Sequence, residues 1–214
     1  MALDEVLWQS AGTPLLRFYE WDHPALSFGY FGRYTDVAQY GDDQEVVRRC
    51  TGGGIVFHGN DLTYALIIPS NDQRPESSPM TIYGLVHEAI QRVLRAVGTE
   101  AVLANANNCR ASVSDAMPSH RDGLQSTSCF ANPVAYDVMV NEQKIAGAAQ
   151  RRSRRGLLQQ GSIQNVKLPA GFRERFIAEL CEQPNIIEIA PGLLKQAQLL
   201  AETKYGSDAW LHRR

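Results

Sequence analysis

Apolar and polar positions recur with two periods along this chain, and the switch between them outlines its elements. Residues 15–19, 25–31, 45–47, 55–57 and 62–68 are short runs rich in β-branched and aromatic side chains. Glycine, proline or polar clusters bound them, so each is predicted as a strand. Residues 1–9 place Leu3, Val6 and Leu7 on one side of a short helix. The best helical pattern spans residues 81–97, where Ile82, Leu85, Val86, Ala89, Ile90, Val93, Leu94 and Val97 keep helical spacing and Gly98 closes the run. His87 and Glu88 lie on this helix without a second histidine at zinc-protease spacing, and are expected on its solvated face. Residues 101–103 read as a strand, 105–128 as a long polar loop of the kind that carries function. Residues 135–140 read as a strand, 141–143 as a turn, and Lys144 begins the returning strand. A basic turn follows at 151–156, and then a strand at 157–163. From Gly171 the period is helical, over 172–181 and 193–203, with Cys181 expected in the core and Tyr205 and Trp210 packing at the end. Strands followed by segregated helices predict an α+β fold.

The stretch Arg48-Arg49-Cys50-Thr51-Gly52-Gly53-Gly54-Ile55-Val56-Phe57-His58 breaks the strand pattern. Consecutive glycines are costly inside a strand or helix and belong at a sharp turn. Such a turn lets backbone N–H groups approach a carboxylate, phosphate or oxyanion. It can equally be a tight hairpin with no ligand, and the segment alone leaves both readings open.

Composition narrows the classes. A chain of 214 residues, 44% hydrophobic and 21% charged, suits a single domain over 1–214 with a sizeable core. Lysine and arginine total 21, aspartate and glutamate 23, for a net charge of −2, which gives no general reason to expect nucleic acid. Apolar runs fall short of a membrane span, and the acidic N-terminus lacks a signal-peptide layout. Cys50, Cys109, Cys129 and Cys181 form no C-x-x-C pair. No metal site is expected, and reduced thiols in the cytoplasm are the default.

An ordered set of segments carries more information than any of these. It comprises Arg49-x-Thr51-Gly52-Gly53-Gly54-x-Val56-x-His58, Leu62-Thr63-Tyr64, Lys144-Ile145-Ala146-Gly147-x-Ala149-Gln150-Arg151 and Gly161-Ser162-Ile163. In this order they resemble the biotin/lipoate protein ligase and octanoyltransferase family across nearly the whole chain. The resemblance implies an α+β catalytic domain: a class II synthetase-like mixed β-sheet flanked by helices, here without the C-terminal accessory domain many lipoate ligases carry. It implies an acyl chain in a tunnel, with its carbonyl end near the glycine turn and Lys144. Substrate contacts are expected from Arg49, Thr51, Gly52, Gly53, Gly54, His58, Tyr64, Gly147 and Ala149. A cation at Lys144 would stabilise charge developing on the acyl oxygen, and its stem could line an apolar tunnel.

Two chemistries share that scaffold. One is ATP- and magnesium-dependent ligation through lipoyl-AMP. The other needs no cofactor: a cysteine takes octanoyl from acyl carrier protein as a thioester and passes it to a lysine of a lipoyl domain or the glycine-cleavage H protein. The segment Ser128-Cys129-Phe130-Ala131-x-Pro133-x-x-Tyr136-Asp137 resembles the nucleophile segment of the cysteine-dependent octanoyltransferases and favours the second. An ammonium near Cys129 would favour its thiolate; a small buried hydrophobe is the plain alternative. Gln160 stands where a histidine often precedes Gly161-Ser162, so no acid–base role is given to it. Arg151, Arg152, Arg154 and Arg155 form either a solvated hairpin or a docking patch for an acidic carrier or lipoyl domain. A non-catalytic acyl-binding scaffold is the alternative from another class, and biotin ligation ranks low because its Gly-Arg-Gly run is absent.

Overall fold

The computed structural model describes residues 1–41, 43–71, 78–105 and 133–213. In chain order the elements are α1 (Ala2–Ser10), β1 (Leu15–Tyr19), β2 (Ala25–Phe28), β3 (Glu45–Arg48), β4 (Val56–His58), β5 (Leu62–Pro69) and α2 (Pro79–Arg95). Then come β6 (Ala101–Leu103), β7 (Val138–Val140), β8 (Gln143–Ser153), β9 (Gly156–Ile163), α3 (Phe172–Leu180), α4 (Pro191–Leu200) and α5 (Asp208–Leu211). Strands and helices thus fall close to where the periodicity puts them. Their contacts divide the chain into two compact units. The first comprises Met1–Pro75, Ala149–Gln160 and Ile186–Arg214, and the second Glu76–Ala148 and Gly161–Asn185. Strands β8 and β9 contribute residues to both.

In the first unit β1 pairs antiparallel with β5, Leu15 facing Ile67 and Tyr19 facing Thr63. Strand β5 is flanked on its other side by β9. Its burial is nearly continuous, as expected of a central strand covered on both faces. Leu7 and Trp8 of α1, Ala65 and Ile67 of β5, Leu158 of β9, Cys50 and Trp210 form one core cluster. A second sheet has the order β3-β2-β4. The glycine stretch is therefore not a hairpin turn. Strand β2 lies between its two arms, parallel to β3 and antiparallel to β4. Residues 49–55 must cross the end of β2, and Gly29 makes room for them. A Cβ on Gly29 would overlap the Gly53 carbonyl oxygen and the Gly52 carbonyl group.

In the second unit β7 pairs antiparallel with both β6 and β8, and α2 packs against α3, β6 and β7. Ser78 caps α2, its hydroxyl accepting the Thr81 N–H at 3.1 Å, with proline in the first turn. Ile82, Val86, Ala89, Ile90, Val93 and Leu94 are buried as the stripe predicts, but Leu85 and Val97 are exposed. His87 is not on a solvated face; it is fully buried beside Tyr83. The buried arc is wide enough to take both residues because strands and α3 cover the helix together. Cys181 is exposed rather than core. Helix α3 stops at Leu180, and Cys181 turns into extended backbone at φ −151°.

Gly29→Ala is expected to destabilise the protein by about 1–3 kcal/mol, the cost of overpacking a site with no room for a methyl group. Gly12→Ala, where nothing lies within 4 Å of the added carbon, serves as the control. Urea unfolding of the two variants compares them directly, and equal midpoints would refute the close approach.

Candidate active site

The glycine loop is held from beneath by Arg49. This buried guanidinium donates to Ser27 Oγ at 2.8 Å, the Gly52 carbonyl at 3.0 Å and the Gly54 carbonyl at 2.8 Å. The loop is also tied to its neighbours through the backbone. The Tyr30 N–H donates to the Thr51 carbonyl at 2.8 Å, and the Gly52 N–H to the Gln150 carbonyl at 3.4 Å. Thr51 is fully buried, and its hydroxyl donates to Gln160 Oε1 at 2.8 Å. Arg49 and Thr51 therefore shape the loop, while Gly53, exposed at φ 82°, forms its outer surface. His58 closes the loop on its far side, between Ser27 and Asp61.

Gln160 explains its own presence. Its amide accepts from Thr51 and donates to Asp4 Oδ2 at 2.8 Å, so one side chain joins the loop to α1. Asp4 is fully buried and also accepts from Arg17 at 2.6 Å and from the Tyr19 hydroxyl at 3.0 Å. Burial alone would raise its pKa, but the N-terminal ammonium, Arg17 and Gln160 outweigh that and hold it below the ordinary value. Tyr64 is buried in β5, its hydroxyl accepting from Gln159, which in turn accepts from Gln150 at 2.6 Å. Ala149 follows on β8 and is half-buried.

The second unit holds Lys144 in a different setting. Its ammonium is buried and paired with Asp137 Oδ2 at 2.8 Å. The Tyr83 hydroxyl donates to Asp137 Oδ1 and accepts the Ala148 N–H at 3.1 Å. The Val134 N–H donates to Asp137 Oδ2 at 2.6 Å. The carboxylate is thus supplied with donors on both oxygens, the condition for keeping a charge away from water. Gly147 is the seat of the lysine: an added Cβ would meet Lys144 Cε and Nζ and then Asp137. The spacing Lys144-Ile145-Ala146-Gly147 thereby acquires a steric reason. His87 lies against Tyr83, ring centroids 4.2 Å apart, with Nδ1 hydrogen-bonded at 2.8 Å to the Tyr136 carbonyl. Burial, helped by the Lys144 charge, pushes its pKa down to about 4 against the pull of Asp137 and the Tyr136 carbonyl. Cys129 and Cys109 lie outside the described residues, as does most of the polar loop expected at 105–128.

The family model for the lipoyl protein ligase A/B catalytic domain matches residues 1–168. The chain belongs to this family. Similar proteins include octanoyltransferase LipM of Oceanobacillus iheyensis, 36% identical over 171 residues. That alignment takes in 76% of this chain but only 58% of the relative's length. LipM of Bacillus subtilis is 30% identical over 270 aligned residues, covering 100% of this chain and 93% of the relative. Among solved structures, a lipoate-protein ligase A bound with ATP is 20% identical with a TM-score of 0.72, covering 99% of this chain and 92% of that one. The bi-partite lipoate protein ligase of Thermoplasma acidophilum is 18% identical with a TM-score of 0.71, covering 99% and 89%. These likenesses establish the fold, the class II synthetase-like mixed sheets flanked by helices expected of a lipoyl ligase A/B catalytic domain.

Within this lipoyl ligase A/B domain, sequence reasoning named the loop and the lysine but missed their partners. Asp137, Tyr83, Ser27, Asp61 and Asp4 received no role, though each is buried. A signal existed for Asp137: a carboxylate directly ahead of an apolar strand needs a cation or several donors if it is buried. Nothing comparable marks Ser27 inside an otherwise apolar strand.

The His87 shift has a consequence for acid stability. Between its unfolded pKa, 6.5, and about 4 the unfolded chain binds a proton that the folded protein refuses. Stability is therefore expected to fall as pH drops through that window, by up to about 3 kcal/mol. His87→Gln should flatten the stability profile between those limits in urea titrations, and an unchanged slope would refute a buried neutral imidazole.

Proposed function

We propose that this protein is an acyltransferase of protein lipoylation, moving an octanoyl group onto a lysine of a lipoyl domain or glycine-cleavage H protein. The observation that carries this reading is the similarity to octanoyltransferase LipM proteins, at 36% and 30% identity, in a chain whose motif lysine is buried and charge-paired. Acyl carrier protein is the donor and Cys129 the nucleophile in this proposal. The Cys129 thiolate attacks the donor thioester, the carrier's thiol leaves, and an octanoyl–cysteine thioester remains. The acceptor lysine amine then attacks that carbonyl, loses a proton and forms the amide, and the cysteine thiol is regenerated. Lys144 supplies positive charge to the oxyanion that forms in each step, and Asp137 keeps that ammonium oriented. No nucleotide or metal enters this route.

The Asp137 pairing supports a placed rather than a mobile ammonium. A lysine on a surface turn keeps its rotamer freedom, whereas Lys144 is confined by Gly147 beneath it and Asp137 beside it. Preorganised charge of this kind stabilises a transition state without reorganisation at the moment of reaction. Cysteines among the described residues are free, which accords with a reducing compartment such as the cytoplasm. None of the helices among the described residues is long and apolar enough to cross a membrane.

The deciding experiment incubates the protein with octanoyl-acyl carrier protein without ATP and measures intact mass after acid quench. One added octanoyl group, absent from Cys129→Ala, is the expected result. No adduct, with ATP-dependent transfer of free lipoate to a lipoyl domain, would make this a ligase instead. No transfer by either route would leave an acyl-binding scaffold.

Arg152, Arg154 and Arg155 are exposed, as a docking patch requires, whereas Arg151 is drawn inward to the Cys50 carbonyl and the Trp8 and Tyr30 rings. Arg154→Glu with Arg155→Glu is expected to slow association with an acidic carrier several-fold at low salt, with the difference shrinking as salt rises. Stopped-flow binding measures it, and an unchanged rate would remove the patch from the mechanism.

A further inference from the structure

A line of side chains in the first unit runs from Trp21 to the glycine loop through hydrogen bonds alone. Trp21 Nε1 donates to Thr63 Oγ1 at 3.0 Å, and the Thr63 hydroxyl to Asp61 Oδ2 at 3.0 Å. His58 Nδ1 lies 2.8 Å from the same carboxylate oxygen, and His58 Nε2 lies 2.6 Å from Ser27 Oγ. Arg49 donates to Ser27 Oγ and, through its other terminal nitrogen, to the carbonyls of Gly52 and Gly54. Ser27, His58, Asp61, Thr63 and Arg49 are all buried.

Proton positions along this line are assigned so that each buried donor meets an acceptor. A guanidinium can only donate, so Ser27 Oγ accepts from Arg49. Among the described residues the serine's other partner is His58, so pairing the buried hydroxyl proton assigns it to Nε2, which in this tautomer carries none. The imidazole proton is then on Nδ1, facing Asp61. The second Asp61 oxygen accepts the Gly59 N–H at 3.1 Å, which fixes the carboxylate. Trp21 stacks on the imidazole at 4.1 Å and 18° and holds its plane.

The order serine, histidine, aspartate is that of a hydrolytic triad, but the surroundings oppose that use. Ser27 is fully buried, and its oxygen already accepts a charged N–H, which lowers its nucleophilicity. The line leads to the loop backbone instead. A peptide is planar and trans, so its carbonyl and the next N–H point in opposite directions. Arg49 gathers the Gly52 carbonyl inward and thereby turns the Gly53 N–H outward, on the exposed side of the loop.

We propose that Asp61, His58 and Ser27 are positioning residues that fix Arg49, and through it aim the Gly53 N–H at the acyl substrate. His58 is on this view not a substrate contact, since Ser27 and Asp61 occupy both ring nitrogens. The proposal rests on the acyl-transfer reading for its substrate, but its geometry can be read without turnover.

The test combines 15N NMR of the His58 ring, the amide resonance of Gly53, and steady-state octanoyl transfer, in the full chain and in Ser27→Ala and Asp61→Asn. The expected wild-type ring carries its proton on Nδ1. Both variants should move the Gly53 amide resonance. Ser27→Ala should lower kcat about tenfold or more, with a smaller change in KM for the donor, because a misaimed donor is lost chiefly in the transition state. A ring proton on Nε2 in the wild type overturns the proposal. So does a Gly53 resonance unmoved in Ser27→Ala, whether or not kcat falls. If the variants do not fold, the wild-type ring decides alone. A wild-type protein that transfers no octanoyl refutes the transfer reading, while ring and amide still judge the line.

Discussion

Two neighbouring guanidiniums at the end of β3 are the fixed points of the first unit. Successive side chains of an extended backbone point to opposite sides, so Arg48 and Arg49 serve different neighbourhoods. Arg49 turns toward Ser27 and the glycine loop. Arg48 turns the other way, fully buried, and gives its N–H groups to the carbonyls of Tyr30, Gly32, Leu211 and Arg213. Trp210 returns the contact by donating to the Arg48 carbonyl at 2.9 Å. Carbonyl oxygens accept from both cations, joined at Arg49 by the Ser27 hydroxyl. A buried cation would otherwise carry a desolvation cost of several kcal/mol, so these carbonyls cannot turn away without that penalty. The C-terminal turn and the glycine loop are thereby both held by one dipeptide.

The second unit solves a related problem by charge pairing. Lys144 and Asp137 are both buried and lie 2.8 Å apart. The pair is tolerable because Tyr83 and the Val134 N–H complete the carboxylate's hydrogen bonds. Gly147 allows the lysine stem to lie flat against the strand. His87 adds a boundary: buried and neutral, it brings no further charge near the pair at physiological pH. In both units the polar groups are held by partners chosen for geometry, which is what a preorganised site requires.

Much of this was legible in the sequence. The period-2 and period-3.6 patterns located the strands and helices because those signals depend on residues two to four positions apart. The ordered motifs identified the family, the glycine loop and Lys144, and the family-model match to residues 1–168 agrees with them. Errors came where a residue's surroundings depend on other elements. His87 is buried because strands and α3 close over α2. Cys181 is exposed because its helix ends one residue before it.

By itself the sequence determined the α+β class, the family, and where the glycine loop and the motif lysine lie along the chain. Tertiary structure alone decided their partners. Ser27 and His58 are 31 positions apart, Thr51 and Gln160 109 apart, and Tyr83 and Asp137 54 apart. It also decided that β2 separates the arms of the glycine stretch, which turned an apparent hairpin into a loop crossing a strand end. The physical reason is that local backbone preference acts over one turn or one pleat. A buried polar group accepts whichever donors the folded chain brings to it, and pays for any it lacks.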